Sequence, residues 1–408
     1  MSLPKPATAP LRRVLFVDDE QHVLDGLQNL LRKQRKQWDM GFVQGGQAAL
    51  SAFAAAPFDV IVSDMRMPGM DGAELLAEVR DRYPAATRIV LSGHADRDAV
   101  QRALAVAHQF LSKPCEAAVL QLVVERVCGL QTLLGDAQLR EVVGRIDKLP
   151  SVPQVYLDLI AALDRPETTM PAIAAIIERD PAMSAKVLQL VNSSYFGLAR
   201  RLSSISDAVG YLGSDLLRSL SLSANVFARL TAAPVPGFCI EALQDRAVLG
   251  GRLARALLAA DKNRADEAFT AALVRDLGAM VLALGLPATF APIVADHNTS
   301  GDPLVDVELR TLGVTHAEVG AYLLGVWGLP AAIVEAVAHC HAPSRIAHED
   351  RDVVAAVHVA DAIAEAVQRK QPPRLDPALP AAMGPRFATW MQVVSSELDK
   401  LGLAVMDT

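Results

Sequence analysis

Three acids, a serine and a lysine stand where short apolar runs end. Asp18 and Asp19 follow the run Arg13 to Val17, Asp64 closes the run from Val60, Ser92 follows Arg88 to Leu91, and Lys113 follows Gln109 to Ser112. Clustered carboxylates repel one another unless a cation joins them, and oxygen-only ligands suit a hard divalent ion such as Mg²⁺. Such an ion screens an incoming phosphoryl group and holds it in line with a nucleophile. On this reading Asp64 accepts a phosphoryl group, Lys113 supplies a fixed positive charge, and Ser92 hydrogen-bonds a phosphoryl oxygen. The competing reading makes Asp64 merely the last residue before the Pro68-Gly69 turn.

The chemistry needs elements that bring these residues together. Residues 12–128 alternate strand-like and helix-like segments. Strands are expected at Arg13 to Val17, Met40 to Val43, Val60 to Asp64, Arg88 to Leu91 and Gln109 to Ser112. Helices are expected at Val23 to Leu31, Gln47 to Ala56, Ala73 to Asp81, Asp98 to Ala107 and Glu116 to Gly129. This alternation predicts an α/β doubly wound parallel sheet of five strands, whose ligand side lies at the carboxyl ends. Asp18, Asp19, Asp64, Ser92 and Lys113 then share one crevice.

This set resembles the receiver domain of two-component response regulators over residues 12–128. The resemblance rests on Asp18-Asp19, on Asp64 with M-P-G-M-D-G after it, on Ser92-Gly-His, and on Phe110 three residues before Lys113-Pro114. It implies phosphorylation of Asp64 by a sensor histidine kinase. It implies Mg²⁺ held by Asp18, Asp19, Asp64 and the backbone carbonyl of Arg66, with Ser92 and Phe110 moving as a switch pair.

The bulk composition sets the frame. At 408 residues the chain is too long for one ordinary core. A hydrophobic content of 51% with only 5% aromatic residues favours helices. The formal net charge of -7 argues against non-specific binding to DNA, although a local basic patch is compatible with it. Four cysteines without C-x-x-C spacing fit a reduced, cytoplasmic setting. Residues 1–11 are Pro-rich and read as a disordered lead-in. The uncharged run Leu277 to Ala295 is broken by Gly and Pro and reads as core rather than a membrane span.

Residues 129–146 read as a helical connector. Leu120, Val123, Val127, Leu130 and Leu134 fall at heptad steps, which suits either a short dimeric coil or a helix packed on its own domain. From residue 147 strand-like runs give way to long Ala/Leu helices, including Asp215 to Leu230 and Glu267 to Leu284. Three blocks are distinctive: LPSVPQV, IIERDPAMSAKVLQLVNSSYFG and HAEVGAYLLGVWGLPAAIVEAV. Together they resemble the all-α HDOD domain over residues 147–345, with a helical extension at 346–408. The family is similar in its second half to HD phosphohydrolases, including cyclic di-GMP phosphodiesterases, and is held to be non-catalytic.

A hydrolase of that kind needs His and Asp around a metal. The resemblance places Arg246 and Arg275-Asp276 where metal-binding His and His-Asp would stand, with His316 and His341 at His-rich positions and His358 and Asp361 one turn apart. Arg has no lone pair to offer a metal. No cofactor is therefore expected in this half, and an anion pocket built on Arg246 and Arg275 competes with simple pairing of Arg275 to a helix acid. His339 and His341 point to different faces of one helix, which disfavours zinc. Tyr195, Phe196 and Trp327 read as packing anchors. The expected protein is a response regulator whose HDOD output acts by binding an unidentified downstream protein, with a homodimer through the receiver or connector left open and no DNA or membrane partner. The alternative is a receiver-regulated, metal-dependent phosphodiesterase acting on cyclic di-GMP or another nucleotide.

Overall fold

The computed structural model describes residues 11–92, 106–130, 134, 136–146, 149–151, 153–165, 167–193, 198, 200–222, 228–229, 235–346 and 350–404. They divide into two compact units, Met1–Thr132 and Leu133–Thr408. The expected lead-in at 1–10, the expected helix from Asp98, and Tyr195 and Phe196 lie outside the described residues.

In the first unit β1 (Arg12–Asp18), α1 (Gln21–Leu30), β2 (Trp38–Gln44), α2 (Gly46–Ala55), β3 (Val60–Asp64), α3 (Gly72–Arg82), β4 (Thr87–Ser92), β5 (Gln109–Ser112) and α4 (Ala117–Leu130) follow in order. The five strands form one parallel sheet in the order β2-β1-β3-β4-β5. Successive side chains on a strand face opposite sides, so each strand feeds two cores. Leu15, Ile61, Val90 and Phe110 pack with Leu50, Phe53 and Leu76 on one face. Phe16, Val62 and Ile89 pack with Leu24, Leu120, Val123 and Val127 on the other.

That second core settles the heptad pattern. Leu120, Val123 and Val127 are buried against the sheet of their own unit, so these three do not form the seam of a dimeric coil. Core-facing and coiled-coil stripes share the same three- and four-residue steps, which is why spacing alone left both readings open. The helix also does not continue to Arg145. Asp136 starts a new helix, α5 (Ala137–Arg145), by accepting hydrogen bonds from the amides of Gln138 at 2.7 Å and Leu139 at 3.3 Å.

The second unit continues with α6 (Pro153–Asp164), α7 (Met170–Ile177), α8 (Pro181–Val191), α9 (Ile205–Leu222), α10 (Ile240–Leu257), α11 (Lys262–Val274), α12 (Leu277–Gly285) and α13 (Pro287–Ser300). Then come α14 (Leu304–Leu312), α15 (His316–Val326), α16 (Ala331–His339), α17 (Asp352–Arg369), α18 (Leu379–Met383) and α19 (Pro385–Leu401). Side-chain caps fix several starts. Asp180 accepts from the Met183 amide at 3.0 Å with Pro181 at the first helical position, and Thr315 and Glu318 form a reciprocal capping box.

The structure departs from the sequence reading in four places. Pro150–Ser151 and Ala228–Arg229 form a short parallel pair, β6 and β7, so the unit is not purely helical. The helix expected from Asp215 through Leu230 ends at Leu222; the break at Gly213, where φ is 75°, lies just before its expected start. The helix expected from Glu267 to Leu284 divides at Arg275-Asp276 into α11 and α12. Finally, α17 is no appendage: it packs on α10 and α11, and its apolar residues are buried around most of its circumference. The run Lys262–Gly285 is long and apolar enough to cross a membrane, but 89% of its apolar window is buried inside the unit, as a core helix pair requires.

Candidate functional site

The parallel register carries three polar groups to one edge of the first sheet. Asp18 ends β1, Asp64 ends β3, and Lys113 follows β5. Lys113 Nζ lies 2.5 Å from Asp64 Oδ1 and 2.9 Å from Asp18 Oδ2, so one ammonium bridges two buried carboxylates. Backbone amides hold the remaining oxygens: Arg66 N donates to Asp64 Oδ2 at 3.0 Å, and Glu20 N donates to Asp18 Oδ1 at 3.0 Å. Asp19 is half-buried beside them, its carbonyl accepting from Gln44 Nε2 at 2.6 Å.

Local sequence explains this order. Gly72 opens α3 directly against the backbone carbonyl of Asp64, where a Cβ would overlap the carbonyl oxygen. Asp71 and Glu74 close a capping box on the same turn, which fixes the loop after Asp64. Phe110 is buried in the sheet core. Ser92 closes β4 opposite Ser112, one residue beyond the Asp64–Leu91 pair; its side chain lies outside the described residues.

The electrostatics follow from the geometry. Burial pushes the Asp64 carboxyl above its ordinary pKa, with the Asp18 charge adding to the rise and Lys113 opposing it. Burial works against the Lys113 charge, yet its bonds to Asp64 and Asp18 outweigh that and raise its pKa. Two buried carboxylates thus share one ammonium that is itself 34% exposed, with the Asp19 carboxylate adjacent in sequence. A negative, oxygen-only cluster open on one side fits a hard divalent cation.

The second unit assembles a different cluster. Arg275, whose side chain is 0% exposed, sits at the α11–α12 junction with Nη2 2.5 Å from Asp361 Oδ1 and 3.2 Å from Asp276 Oδ2. Arg246, on α10, reaches Asp276 Oδ2 at 2.8 Å, Asp361 Oδ1 at 3.8 Å and Glu365 Oε1 at 3.9 Å. His316 Nδ1 is 2.8 Å from Glu308 Oε2, and its Nε2 is 3.1 Å from His341 Nε2 and 3.6 Å from Asp276 Oδ1. Gly278 brings α12 and α15 together: a Cβ there would overlap the carbonyl oxygen of His316. The fold therefore gathers Arg246, Arg275, Asp276, His316 and His341, and adds Asp361.

Charges inside this cluster balance. Burial opposes ionisation of Asp276 and Asp361, but the two guanidiniums hold Asp276 well below and Asp361 below the usual carboxylate range. Burial likewise opposes the His316 charge, but Glu308 and Asp276 raise its pKa to about 10. Burial and the neighbouring His316 charge push His341 down to about 3. His316 is therefore an imidazolium, donating from Nδ1 to Glu308 and from Nε2 to the neutral His341. Three cations face the carboxylates of Asp276, Asp361 and Glu308, with half-buried Glu365 at the rim. Not every short pair is aligned: Arg275 Nη2 and Asp361 Oδ1 are close in distance without hydrogen-bond geometry.

The arginines are thus directed to acids of their own unit, which favours the pairing reading of Arg275 over the anion pocket. A cavity of about 170 Å³ adjoins the cluster, lined in part by Arg246, His297, His316, His341, Glu365 and Arg369. His358 stands apart from it: Nδ1 bonds the Cys340 carbonyl at 2.6 Å and Nε2 accepts from Asp376 N at 2.8 Å. Among the described residues of either unit, no group of three or more His, Cys, Asp and Glu has metal-ligating geometry. Glu308 and Glu365 were missed from sequence. Glu308 follows Leu304 by four residues on an amphipathic helix, and an acid on a core-facing step asks for a buried partner.

Comparison with known proteins agrees with this division. Residues 14–125 match the response regulator receiver domain and residues 149–343 match the HDOD domain. An uncharacterized protein of Treponema pallidum is 25% identical over 248 residues, 60% of this chain and 48% of that one. The hydrogenase transcriptional regulatory protein HoxA of Cupriavidus necator is 34% identical over 125 residues, 30% of this chain and 25% of that one. The chain therefore spans about half the length of the first and a quarter of the second. A crystal structure of a virulence factor from Campylobacter jejuni shares the fold, with a TM-score of 0.51 at 19% identity over 66% of this chain and 91% of that one. The chain belongs to the two-component response regulators, and joins an N-terminal receiver domain to a C-terminal HDOD domain.

Proposed function

We propose that Asp64 is the residue through which a signal enters this regulator, by accepting a phosphoryl group from a sensor histidine kinase. The single observation that carries the reading is the Lys113 ammonium, 2.5 Å from Asp64 Oδ1 and shared with Asp18. It holds the nucleophilic carboxylate in place before reaction and is the nearest cation for the phosphoryl oxygens afterwards. Asp18, Asp19, Asp64 and the Arg66 carbonyl would hold Mg²⁺, which when bound screens the charge of the incoming phosphoryl group. Ser92 is assigned to bond a phosphoryl oxygen, and Phe110, packed in the sheet core, to follow it. Labelling with a small-molecule phosphodonor tests the assignment. Wild type should incorporate phosphate and Asp64→Ala should not; equal incorporation would end the idea.

For the HDOD domain we propose an output that acts by contact with another protein rather than by hydrolysis. Arg246 and Arg275 support this reading, because both spend their charge on Asp276 and Asp361, the acids a metal would need. These residues do not fit a metal centre. Turnover of cyclic di-GMP with added Mn²⁺, abolished by Asp276→Ala, would overturn it in favour of a regulated phosphodiesterase.

A further inference from the structure

A tight 3₁₀ turn joins α1 to β2 with the sequence Arg32-Lys33-Gln34-Arg35-Lys36. Gln34 is buried, whereas Arg32, Lys33, Arg35 and Lys36 are all exposed. With three residues per turn, Arg32 lines up with Arg35 and Lys33 with Lys36, as two short parallel rows. The acids close by are already engaged: Asp39 bonds Arg13 at 3.0 Å, and Asp59 bonds the Arg13 amide at 2.8 Å and lies 3.8 Å from Arg12. None of the four cations has an acid within ion-pair distance among the described residues. The patch lies at the amino-terminal end of β2, the opposite end of the sheet from Asp64.

Two exposed leucines flank it. Leu30, 51% exposed, ends α1 immediately before the turn. Leu11, 47% exposed, precedes Arg12, whose amide bonds the Gln37 carbonyl at 3.3 Å and so places the start of β1 beside the end of the turn. Uncompensated cations flanked by exposed aliphatic side chains match a surface that is anionic outside and apolar beneath. A nucleic-acid backbone offers the first property without the second. We propose that the turn and its two leucines form a peripheral docking site for an anionic lipid surface, separate from the phosphoacceptor site.

Co-sedimentation of the full chain with vesicles tests this. Vesicles of one-third phosphatidylglycerol in phosphatidylcholine should bind the protein at low salt, and pure phosphatidylcholine should not. Raising the salt should release it, because exposed charges are screened beyond about 10 Å at 0.1 M. R32Q/K33Q/R35Q/K36Q should lower partitioning by about two to three orders of magnitude, while leaving phosphodonor labelling of Asp64 intact as proof of folding. Leu30→Ser with Leu11→Ser should weaken binding about tenfold or more without changing its salt dependence. Failure of the wild type to bind the anionic vesicles would overturn the proposal, as would unchanged binding by the quadruple variant. Indifference to the leucine changes, with equal binding to duplex DNA, would also overturn it, since the patch would then be a general polyanion site.

Discussion

The two clusters of this protein use similar residue types to opposite ends. In the receiver one partly exposed Lys113 serves Asp18 and Asp64, with Asp19 beside them, and negative charge is left over. In the HDOD domain Arg246, Arg275 and the His316 imidazolium match their acids one for one, almost wholly out of water. A cluster that must receive a charged group needs an unfilled electrostatic demand and an open side. A cluster that holds helices together needs neither, and leaving it unbalanced would cost several kcal/mol per buried ion.

The largest effect is expected when the closed cluster loses one of its charges. Arg275→Ala leaves Asp276 and Asp361 facing each other in the interior with only Arg246 to share. Removing one partner of a buried ion pair costs about 3–5 kcal/mol, so the second unit should unfold at much lower denaturant concentration. A loss comparable to that of an exposed pair, under about 1 kcal/mol, would mean that the cluster is open after all. On the receiver side the corresponding lesion is geometric. Gly72→Ala forces a methyl group into the Asp64 carbonyl, and overpacking of this kind costs about 1–3 kcal/mol. It should lower both receiver stability and phosphodonor labelling, which a calorimetric scan and a labelling assay read separately.

The open cluster was far more legible in the sequence than the closed one. Asp18, Asp64 and Lys113 each sit at the end of a strand, and parallel strands bring their ends together once the β-α alternation is read. The sites within each strand follow from local order alone. The HDOD cluster has no such rule. Arg246 and Asp361 lie on helices whose mutual register depends on small residues such as Gly250, which faces the Arg275 side chain and the Ala360 carbonyl, and on side-chain interdigitation, which spacing does not encode. Hence Arg246 and Arg275 were legible as replacements for ligands, while Glu308 was invisible as the charge partner of His316. Burial also explains why the extension beyond residue 345 packs into the unit, although the HDOD match itself ends at residue 343. The sequence of α17 is apolar around most of its circumference because it lies between α10 and α11, not because it begins an appendage.

The two imidazoles of the closed cluster respond to pH in opposite directions. His316, raised from 6.5 to about 10, contributes stability that is complete below its unfolded pKa and lost as pH rises toward 10. His341, lowered from 6.5 to about 3, is neutral when folded, so stability is lost as pH falls and the unfolded chain takes up the proton first. The second unit should therefore be most stable near neutral pH and weaken on both sides. His316→Asn should flatten the alkaline limb. His341→Asn should reduce the upper part of the acid limb without abolishing it, because burial lowers His297 and His358 as well, and Asp276 and Asp361 protonate further down. Urea midpoints measured across pH check both limbs, and a wild-type profile flat from pH 6 to 10 would show that His316 carries no buried charge.

The smallest expected effect is also the one that separates the clusters by sign. Asp64 binds its proton more tightly in the folded receiver than in the unfolded chain, so its ionisation at neutral pH counts against the fold. Asp64→Asn keeps the shape, removes the buried charge and relieves Asp18, and should raise the receiver's melting temperature slightly despite the weaker bond to Lys113. Asp276 is the reverse case. Its pKa is held well below the ordinary value by Arg246 and Arg275, so its charge favours the fold at every pH above the unfolded value. Asp276→Asn should lower the melting temperature of the second unit. Differential scanning calorimetry of the two variants decides the matter. Opposite shifts are what an acceptor site with excess negative charge and a charge-balanced structural cluster require; shifts of the same sign would mean that the two sets of carboxylates do not differ in the way their surroundings indicate.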